Sequence, residues 1–164
     1  MLTYSIAREW LNGTVNSESF SMRAWSGGGR GRVGSGAEHT LESYDTSRKE
    51  AKGILGGPLP YGVYICKYVA NHPKFHECIF LQQTITSIIQ TDVLGRIYAT
   101  DRGGFYIHGR GEKGSDGCIV PENLGERVRL NRAIKASREV VLLKVAEPGM
   151  PLPAVLDNRT RRYA

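Results

Sequence analysis

The sequence predicts a mainly β fold, a single-domain β-sandwich or barrel with one or two short helices. Short apolar runs bounded by turn residues recur along the chain, which is typical of strands. The chain has 20 glycines among its 164 residues, and glycine favours turns over long helices. One stretch, after residue 121, has the start signal and the apolar spacing of a helix. We therefore predict one domain over residues 1–147 and a C-terminal tail over residues 148–164.

The N-terminal strands are predicted from apolar residues and a turn signal. The residues that indicate a first strand are Tyr4, Ile6, Trp10 and Leu11. The pair Asn12-Gly13 is typical of a two-residue hairpin loop, because both residue types tolerate positive φ. We therefore predict a hairpin at this pair, with a return strand over about residues 14–25.

A second pair of strands is predicted in the middle of the chain. Residues 56–62 are rich in proline and glycine and predict a rigid turn. A strand over residues 63–70, a turn over residues 71–74 and an antiparallel strand over residues 77–84 follow. Residues 85–103 fit either a helix or a strand, and their β-branched residues favour extended structure.

The last third of the chain predicts a short strand, the helix and a buried strand. The apolar run from Phe105 to Ile107 predicts a strand. A helix is predicted from Pro121, which suits a first turn, to about Ser137. The residues predicted for its apolar face are Leu124, Val128, Leu130 or Asn131, and Ile134. Residues 139–145 are then predicted to form a buried strand.

The charge of the chain limits the classes of partner. Net charge is +6 (22 − 16) and the isoelectric point is near 9.4, which suits an acidic partner such as an anionic cell wall. The basic residues are scattered rather than clustered with aromatic residues, so we predict no nucleic-acid partner. No apolar run reaches 18 residues, so no membrane span is predicted. The first residues lack the features of a signal peptide, and none is expected.

The candidate active site is the stretch over residues 104–121. A predicted strand ends at His108, a glycine-rich loop follows, and Cys118 stands ten positions later (118 − 108). Pairing an imidazole with a thiol produces a reactive thiolate. We therefore predict Cys118 as the nucleophile and His108 as its base. The alternative is a buried strand cysteine beside an incidental loop histidine.

Neighbouring residues have predicted supporting roles. No acidic residue stands at an obvious position to orient His108, so the backbone carbonyl of Gly109 is the candidate. The N–H groups of Gly117 and Cys118 are the predicted oxyanion hole. The candidate substrate-binding residues are Arg110, Ser115 and Tyr106; the planar guanidinium of Arg110 suits a substrate carboxylate.

A second cluster has metal-ligand residue types but not a standard spacing. Its members are Cys66, His72, His76 and Cys78. Zinc fingers place their ligands in tight pairs separated by a longer loop, which this cluster does not reproduce. We therefore predict no metal site and no cofactor. A disulfide between Cys66 and Cys78 stays an alternative, and the odd count of three cysteines leaves at least one thiol unpaired.

The candidate active site resembles the catalytic motif of the L,D-transpeptidase family. That motif is His-Gly or His-Ser, a loop, and Ser/Thr-x-Gly-Cys, and the matching residues here are His108-Gly109 and Ser115-Asp116-Gly117-Cys118. The loop is shorter than in the mainstream members, and Asp116 stands where they usually carry a second histidine. The short form resembles the branch found among type VI secretion effectors that attack peptidoglycan.

Two further segments resemble that branch. Its Tyr-Ser-Gly-x-Gly segment is matched by Trp25-Ser26-Gly27-Gly28-Gly29. Its Gly-Pro-Ile-Pro-x-Gly-x-Tyr segment is matched by Gly57-Pro58-Leu59-Pro60-Tyr61-Gly62-Val63-Tyr64. The branch often has Asn-Pro after the first segment, whereas this chain has residues 36–39 of the sequence Gly-Ala-Glu-His. The resemblance covers about residues 4–145 and implies an L,D-transpeptidase-like β-sandwich or barrel.

The resemblance also implies an activity and a setting. Cys118 would attack the carbonyl of the third residue of a peptidoglycan stem tetrapeptide and expel the terminal D-amino acid. Water would then give L,D-carboxypeptidase activity, and an amine would give cross-linking or D-amino-acid exchange. The implied setting is an antibacterial toxin, made in the bacterial cytoplasm, that acts in the periplasm of a target cell and has a cognate immunity protein. The alternative is a non-enzymatic basic module that binds cell wall or nucleic acid.

Overall fold

The structure is a computed structural model that describes residues 1–27, 58–91, 97–99, 103–109 and 117–149. The strands of these residues are β1 (Leu2–Ser5), β2 (Trp10–Val15), β3 (Glu18–Trp25), β4 (Gly62–His72), β5 (His76–Gln83), β6 (Ile89–Thr91), β7 (Ile97–Ala99), β8 (Phe105–Ile107), β9 (Val120–Pro121) and β10 (Val141–Val145). The helices are α1 (Ile85–Ile88) and α2 (Leu124–Ala136). The predicted mainly β fold with one or two short helices is confirmed.

Eight strands form one sheet that almost closes on itself. Their order is β8-β5-β4-β10-β1-β2-β3-β9, while β6 and β7 form a separate pair. Strands β1 and β10 are parallel, with Leu2 opposite Leu143. A single parallel bridge, between Ile107 and Ile119, joins β8 to the residue that precedes β9. We call this junction, formed by residues 103–109 and 117–121, the seam.

The core fills the space that the curved sheet encloses. Its fully buried members include Tyr4 and Tyr64, and each buried phenol donates to a carbonyl: Tyr4 to Ala24 at 3.0 Å and Tyr64 to Pro60 at 2.7 Å. Burial raises the pKa of Tyr4 well above its usual range. Both tyrosines therefore satisfy their polar end inside an apolar core, as buried tyrosines do.

The predicted N-terminal hairpin at Asn12-Gly13 is wrong. Both residues lie inside β2, and the chain reverses instead at Asn16 and Ser17, whose φ values are 51° and 61°. Gly13 has φ 141°, and a Cβ there would overlap the carbonyl oxygen of Met1. The glycine therefore permits β1 to approach β2 closely. The pair Asn12-Gly13 reflects this close approach and not a hairpin loop.

The predicted strands in the middle of the chain are confirmed, since β4 and β5 pair antiparallel. The extended structure predicted for residues 85–103 is wrong at its start, where α1 lies. The Oγ atom of Ser87 accepts a hydrogen bond from the N–H of Thr84 at 3.0 Å. This local cap stabilises one helical turn in a segment whose β-branched residues favour strands. Strands β6 and β7 of this segment are extended, as predicted.

The predicted late helix is confirmed as α2, but its start and its apolar face differ from the prediction. Asn123 caps α2, with Oδ1 accepting the N–H of Glu126 at 2.9 Å, whereas Pro121 lies in β9. Leu124 and Val128, predicted to be buried, are 64% and 40% exposed. The buried residues of α2 are Leu130, Asn131, Ala133 and Ile134. The C-terminal half of the helix therefore provides its packing surface.

The C-terminal strand is β10, two residues shorter at its start than predicted, since Val140 is 71% exposed. Of the predicted tail over residues 148–164, only Pro148 and Gly149 lie in the described part of the chain. Neither helix among the described residues has the length and apolarity needed to cross a membrane.

Candidate active site

His108 and Cys118 lie on the two sides of the bridge that closes the sheet. The N–H of Ile119 donates to the carbonyl of Tyr106 at 2.9 Å, and the N–H of His108 donates to the carbonyl of Ile119 at 3.1 Å. His108 follows Ile107 and Cys118 precedes Ile119. The spacing of parallel strands then places the Cα atoms of His108 and Cys118 roughly 8 Å apart. That separation is within the combined reach of an imidazole and a thiol.

The sulfur of Cys118 lies where the next peptide group of the parallel hydrogen-bond ladder would be. If the parallel pairing continued, residue 117 would accept from the N–H of Tyr106 and donate to the carbonyl of Gly104. Instead Cys118 Sγ accepts from the N–H of Tyr106 at 3.3 Å and lies 4.0 Å from the carbonyl oxygen of Gly104. The sulfur therefore occupies the site of a missing peptide group, where an N–H points at it.

Gly117 turns the chain so that this substitution occurs. Its φ is 108°, a conformation that strongly favours glycine. Its carbonyl accepts a hydrogen bond from Ser26 Oγ at 3.3 Å rather than from the ladder. Because a trans peptide points its C=O and N–H in opposite directions, the N–H of Cys118 is directed away from Ser26. This is one of the two N–H groups that the sequence predicts for the oxyanion hole.

Ser26 joins three segments of the chain. It is fully buried, donates to the Gly117 carbonyl and accepts from the N–H of Leu59 at 2.8 Å. The segments that meet here are the end of β3, the proline-rich turn before β4 and the residues before β9. These are the same three segments on which the sequence resemblance rests.

The imidazole of His108 packs on an aromatic ring. The imidazole is 4% exposed and stacks on the ring of Phe75, with centroids 3.9 Å apart and planes 6° apart. Stacking of this kind fixes the plane of the imidazole and directs its ring nitrogens sideways. Phe75 therefore supplies part of the orientation that was predicted to come from the Gly109 carbonyl.

The turn between β4 and β5 presents Phe75. His72 Nδ1 accepts the N–H groups of Lys74 and Phe75, each at 3.1 Å, so the imidazole caps the turn. The rings that pack together on this face of the sheet are His72, Phe75, Phe80 and Tyr106. His72, considered above as a zinc ligand, therefore shapes the turn that carries the stacking partner of His108.

The pairing of β4 with β5 separates the other two cysteines. Cys66 lies opposite Leu81 on the core face, and Cys78 lies opposite Val69. Because Val69 is an odd number of residues from Cys66 along β4, Cys78 lies on the other face of the sheet. None of the three cysteines forms a disulfide. In the described part of the chain, no group of three His, Cys, Asp or Glu side chains is placed to hold a metal ion. The disulfide and zinc alternatives therefore have no geometric support.

Gly109 has a steric role that the sequence did not indicate. A Cβ at this position would overlap the guanidinium of Arg127, which projects from α2. The guanidinium thus lies against the backbone of the residue that follows His108. Arg127 is half-buried, and its guanidinium forms no hydrogen bond or ion pair with the described residues.

The structure describes most of the predicted site residues. His108, Gly109, Gly117 and Cys118 meet at the seam. Tyr106 lies beside them, but its ring packs among the aromatic residues and its N–H is the group that contacts the thiol. Arg110 and Ser115, predicted to bind substrate, and the motif residue Asp116 lie outside the described residues.

Three residues of the site were missed by the sequence: Ser26 as an anchor, Phe75 as the stacking partner and Arg127 as a nearby cation. Each acts across a long stretch of chain, and Ser26 lies 91 positions from Gly117. Phe75 directly follows the predicted turn over residues 71–74 and has no local sequence signal for a site.

Comparison with known proteins identifies no relative. No protein-family model matches the chain, and no curated protein matches it. The function is therefore proposed from the site and from the motif resemblance.

Proposed function

We propose that this protein is a cysteine enzyme that acts on the stem tetrapeptides of peptidoglycan through an acyl-enzyme on Cys118. The observation that carries the proposal is the position of the Cys118 thiol, on the N–H of Tyr106 and across the bridge from His108. The N–H of Tyr106 offers the sulfur a hydrogen bond that a thiolate can accept, and the thiolate is the nucleophile.

The proposed reaction runs in two halves. His108 accepts the proton of the Cys118 thiol, and the sulfur attacks the carbonyl carbon of the third stem residue. The peptide bond to the fourth residue then breaks, and His108 returns the proton to the leaving amine. Water, activated by His108, hydrolyses the thioester to give a tripeptide. An amine in place of water gives a cross-link or an exchanged D-amino acid.

The N–H groups of Gly117 and Cys118 are proposed to stabilise the oxyanion that forms in each half. The Ser26 hydrogen bond supports this role, because it fixes the peptide between the two residues. Pre-oriented donors of this kind contribute about a hundred-fold or more to rates of acyl transfer. The convergence of the three resembling segments at Ser26 further supports a site of the L,D-transpeptidase type.

The proposed biological role follows from that activity. An enzyme that trims or exchanges stem peptides weakens a bacterial wall, which suits an antibacterial type VI secretion effector acting in the periplasm of a target cell. Such a toxin requires a cognate immunity protein in the cell that makes it. The net charge of +6 suits an anionic wall polymer.

The test compares three proteins on purified disaccharide tetrapeptides, with products separated by chromatography and identified by mass. Wild type is expected to release the terminal D-amino acid. Cys118→Ala is expected to lose at least about a thousand-fold in rate, whereas Cys66→Ala, a matched change of a buried cysteine, keeps its rate per folded molecule. Tetrapeptides that stay intact with wild type would overturn the proposal, and equal turnover by Cys118→Ala would exclude this nucleophile. Circular dichroism checks that each variant is folded.

A further inference from the structure

We propose that Arg127 binds the carboxylate of the residue that leaves the active site, the terminal D-amino acid of the stem peptide. This inference rests on the proposed function and names an electrostatic contact within that site. In this proposal Arg127, a residue of α2 outside the motif of His108 and Cys118, makes the enzyme specific for a free C-terminus.

The first support is the contact between Arg127 and Gly109. The guanidinium lies where a Cβ of Gly109 would be, so the absence of a side chain at position 109 admits a planar cation beside His108. The contact with Gly109 limits where the guanidinium can move. A cation restricted in this way loses less freedom when it binds a ligand than one on an open surface.

The second support is the contrast with Arg129, two residues further along α2. Arg129 donates to Glu18 at 2.6 Å and to Glu126 at 2.8 Å, and it stacks over the ring of Phe20 at 4.1 Å. The donors of Arg129 are therefore used within the fold. Those of Arg127 make no hydrogen bond to the described residues, although the side chain is half-buried.

The third support is the position of Arg127 on the helix. It lies in the second turn, close to the N-terminus, where the helix dipole disfavours a cation. No ion pair with a described residue uses its charge, so the guanidinium can bind a ligand anion at the seam.

The proposed reaction brings the carboxylate of the leaving amino acid close to Arg127. His108 must reach the leaving amine to protonate it, and in a terminal amino acid that amine and the carboxylate share one carbon atom. A carboxylate so close to His108 lies near Gly109 and the guanidinium against it. An arginine fork matches a carboxylate in shape and charge.

The first experiment needs no turnover of peptidoglycan. The Cys118 thiol is alkylated with iodoacetate and with iodoacetamide at low salt, and modification at Cys118 is quantified by peptide mass mapping. The two reagents differ in charge, so the ratio of their rates reports the local potential. We expect Arg127→Met to lower the iodoacetate-to-iodoacetamide ratio at least about five-fold, and salt at about 0.5 M to reduce this difference.

The matched control is Arg132→Met, which removes the same charge from an exposed position on the same helix. It is expected to leave the ratio within about two-fold of wild type. Two more variants guard against a folding defect. Arg127→Lys keeps the charge and is expected to retain most of the ratio, while Gly109→Ala displaces the guanidinium and is expected to lower it. Equal ratios in Arg127→Met and Arg132→Met would overturn the inference.

The second experiment uses a tetrapeptide substrate and its C-terminal amide. Arg127→Met is expected to raise KM for the acid about ten-fold and to leave KM for the amide unchanged. An equal effect on both substrates would mean that Arg127 does not read the carboxylate. If wild type processes neither substrate, the proposed function fails, while the alkylation ratio still tests whether Arg127 attracts an anion to the thiol.

Discussion

Cys66 in β4 and Cys118 at the seam are almost equally buried, with 7% and 9% of their surface exposed. Their surroundings differ in the backbone. Cys66 lies in β4 between two complete ladders, opposite Val141 on one side and Leu81 on the other. Cys118 lies at the seam, where the ladder is interrupted and the N–H of Tyr106 points at the sulfur.

Equal burial therefore leaves one thiol among apolar neighbours and the other beside a backbone donor. In a complete ladder every backbone donor has a backbone partner, so the Cys66 thiol is left with apolar neighbours, and burial raises its pKa to about 12. At the seam, Gly117 turns its carbonyl away and the sulfur takes over a backbone donor. A break in the hydrogen bonding of the sheet thus creates a polar site for the thiol.

The largest expected effect is on alkylation by a neutral reagent. A thiol with a pKa near 12 is about one part in ten thousand ionised at pH 8, whereas an ordinary thiol is about one quarter ionised. We expect iodoacetamide to modify Cys118 about a thousand-fold faster than Cys66, as measured by peptide mass mapping over time. Equal alkylation rates at the two cysteines would contradict the expected difference between their surroundings.

The next effect concerns the turn that creates the seam. Gly117→Ala places a side chain at φ 108°, and we expect it to lower the free energy of unfolding by about 3 kcal/mol. We also expect a loss of at least about a hundred-fold in the rate of Cys118 alkylation or turnover. Urea denaturation and the alkylation rate measure the two losses.

Gly149→Ala is the matched control for that change. Gly149 also has positive φ, 77°, and a Cβ there would meet no atom within 4 Å. We expect it to cost about 1 kcal/mol in stability and to leave the thiol unchanged. If both glycine variants keep full reactivity at Cys118, the turn at residue 117 is not what activates the thiol.

The smallest expected effect is the pH dependence that Cys66 gives to stability. Its pKa is raised in the folded state, so its contribution to stability is complete below the unfolded pKa of about 8.5 and is lost as pH rises towards 12. Between pH 8 and pH 10 we expect Cys66→Val to lose about 2 kcal/mol less stability than wild type. Urea denaturation with reductant present measures this; parallel curves for the two proteins would contradict it.

The sequence predicted β4 and β5 well, but it joined β1 and β2 into one strand and placed a turn at Asn12-Gly13. The alternation in β4 and β5 is local, because each strand exposes one face to the core. The role of Gly13 is not local, since it depends on the carbonyl of Met1 in another strand. The outward position of Leu124 and Val128 likewise depends on which half of α2 meets the sheet.

The residues of the candidate site also differ in whether a local sequence signal indicates them. His108 and Cys118 were recognisable because strand ends, glycines and two reactive residue types fall within a short stretch. Phe75, Ser26 and Arg127 were not, because each reaches the seam from a distant element and belongs to a residue type with many ordinary roles. Short stretches identify reactive groups, whereas their positioning depends on contacts that only the folded chain brings together.

The parallel pairing of β1 with β10 has a consequence for how this protein folds. Leu2 and Leu143 are neighbours in the middle of the sheet, so the first strand cannot complete its pairing until the last one is present. Folding therefore depends on contacts of high sequence separation, which form slowly. During synthesis on the ribosome, β1 can pair with β2 early, but its other edge has no partner until β10 is made.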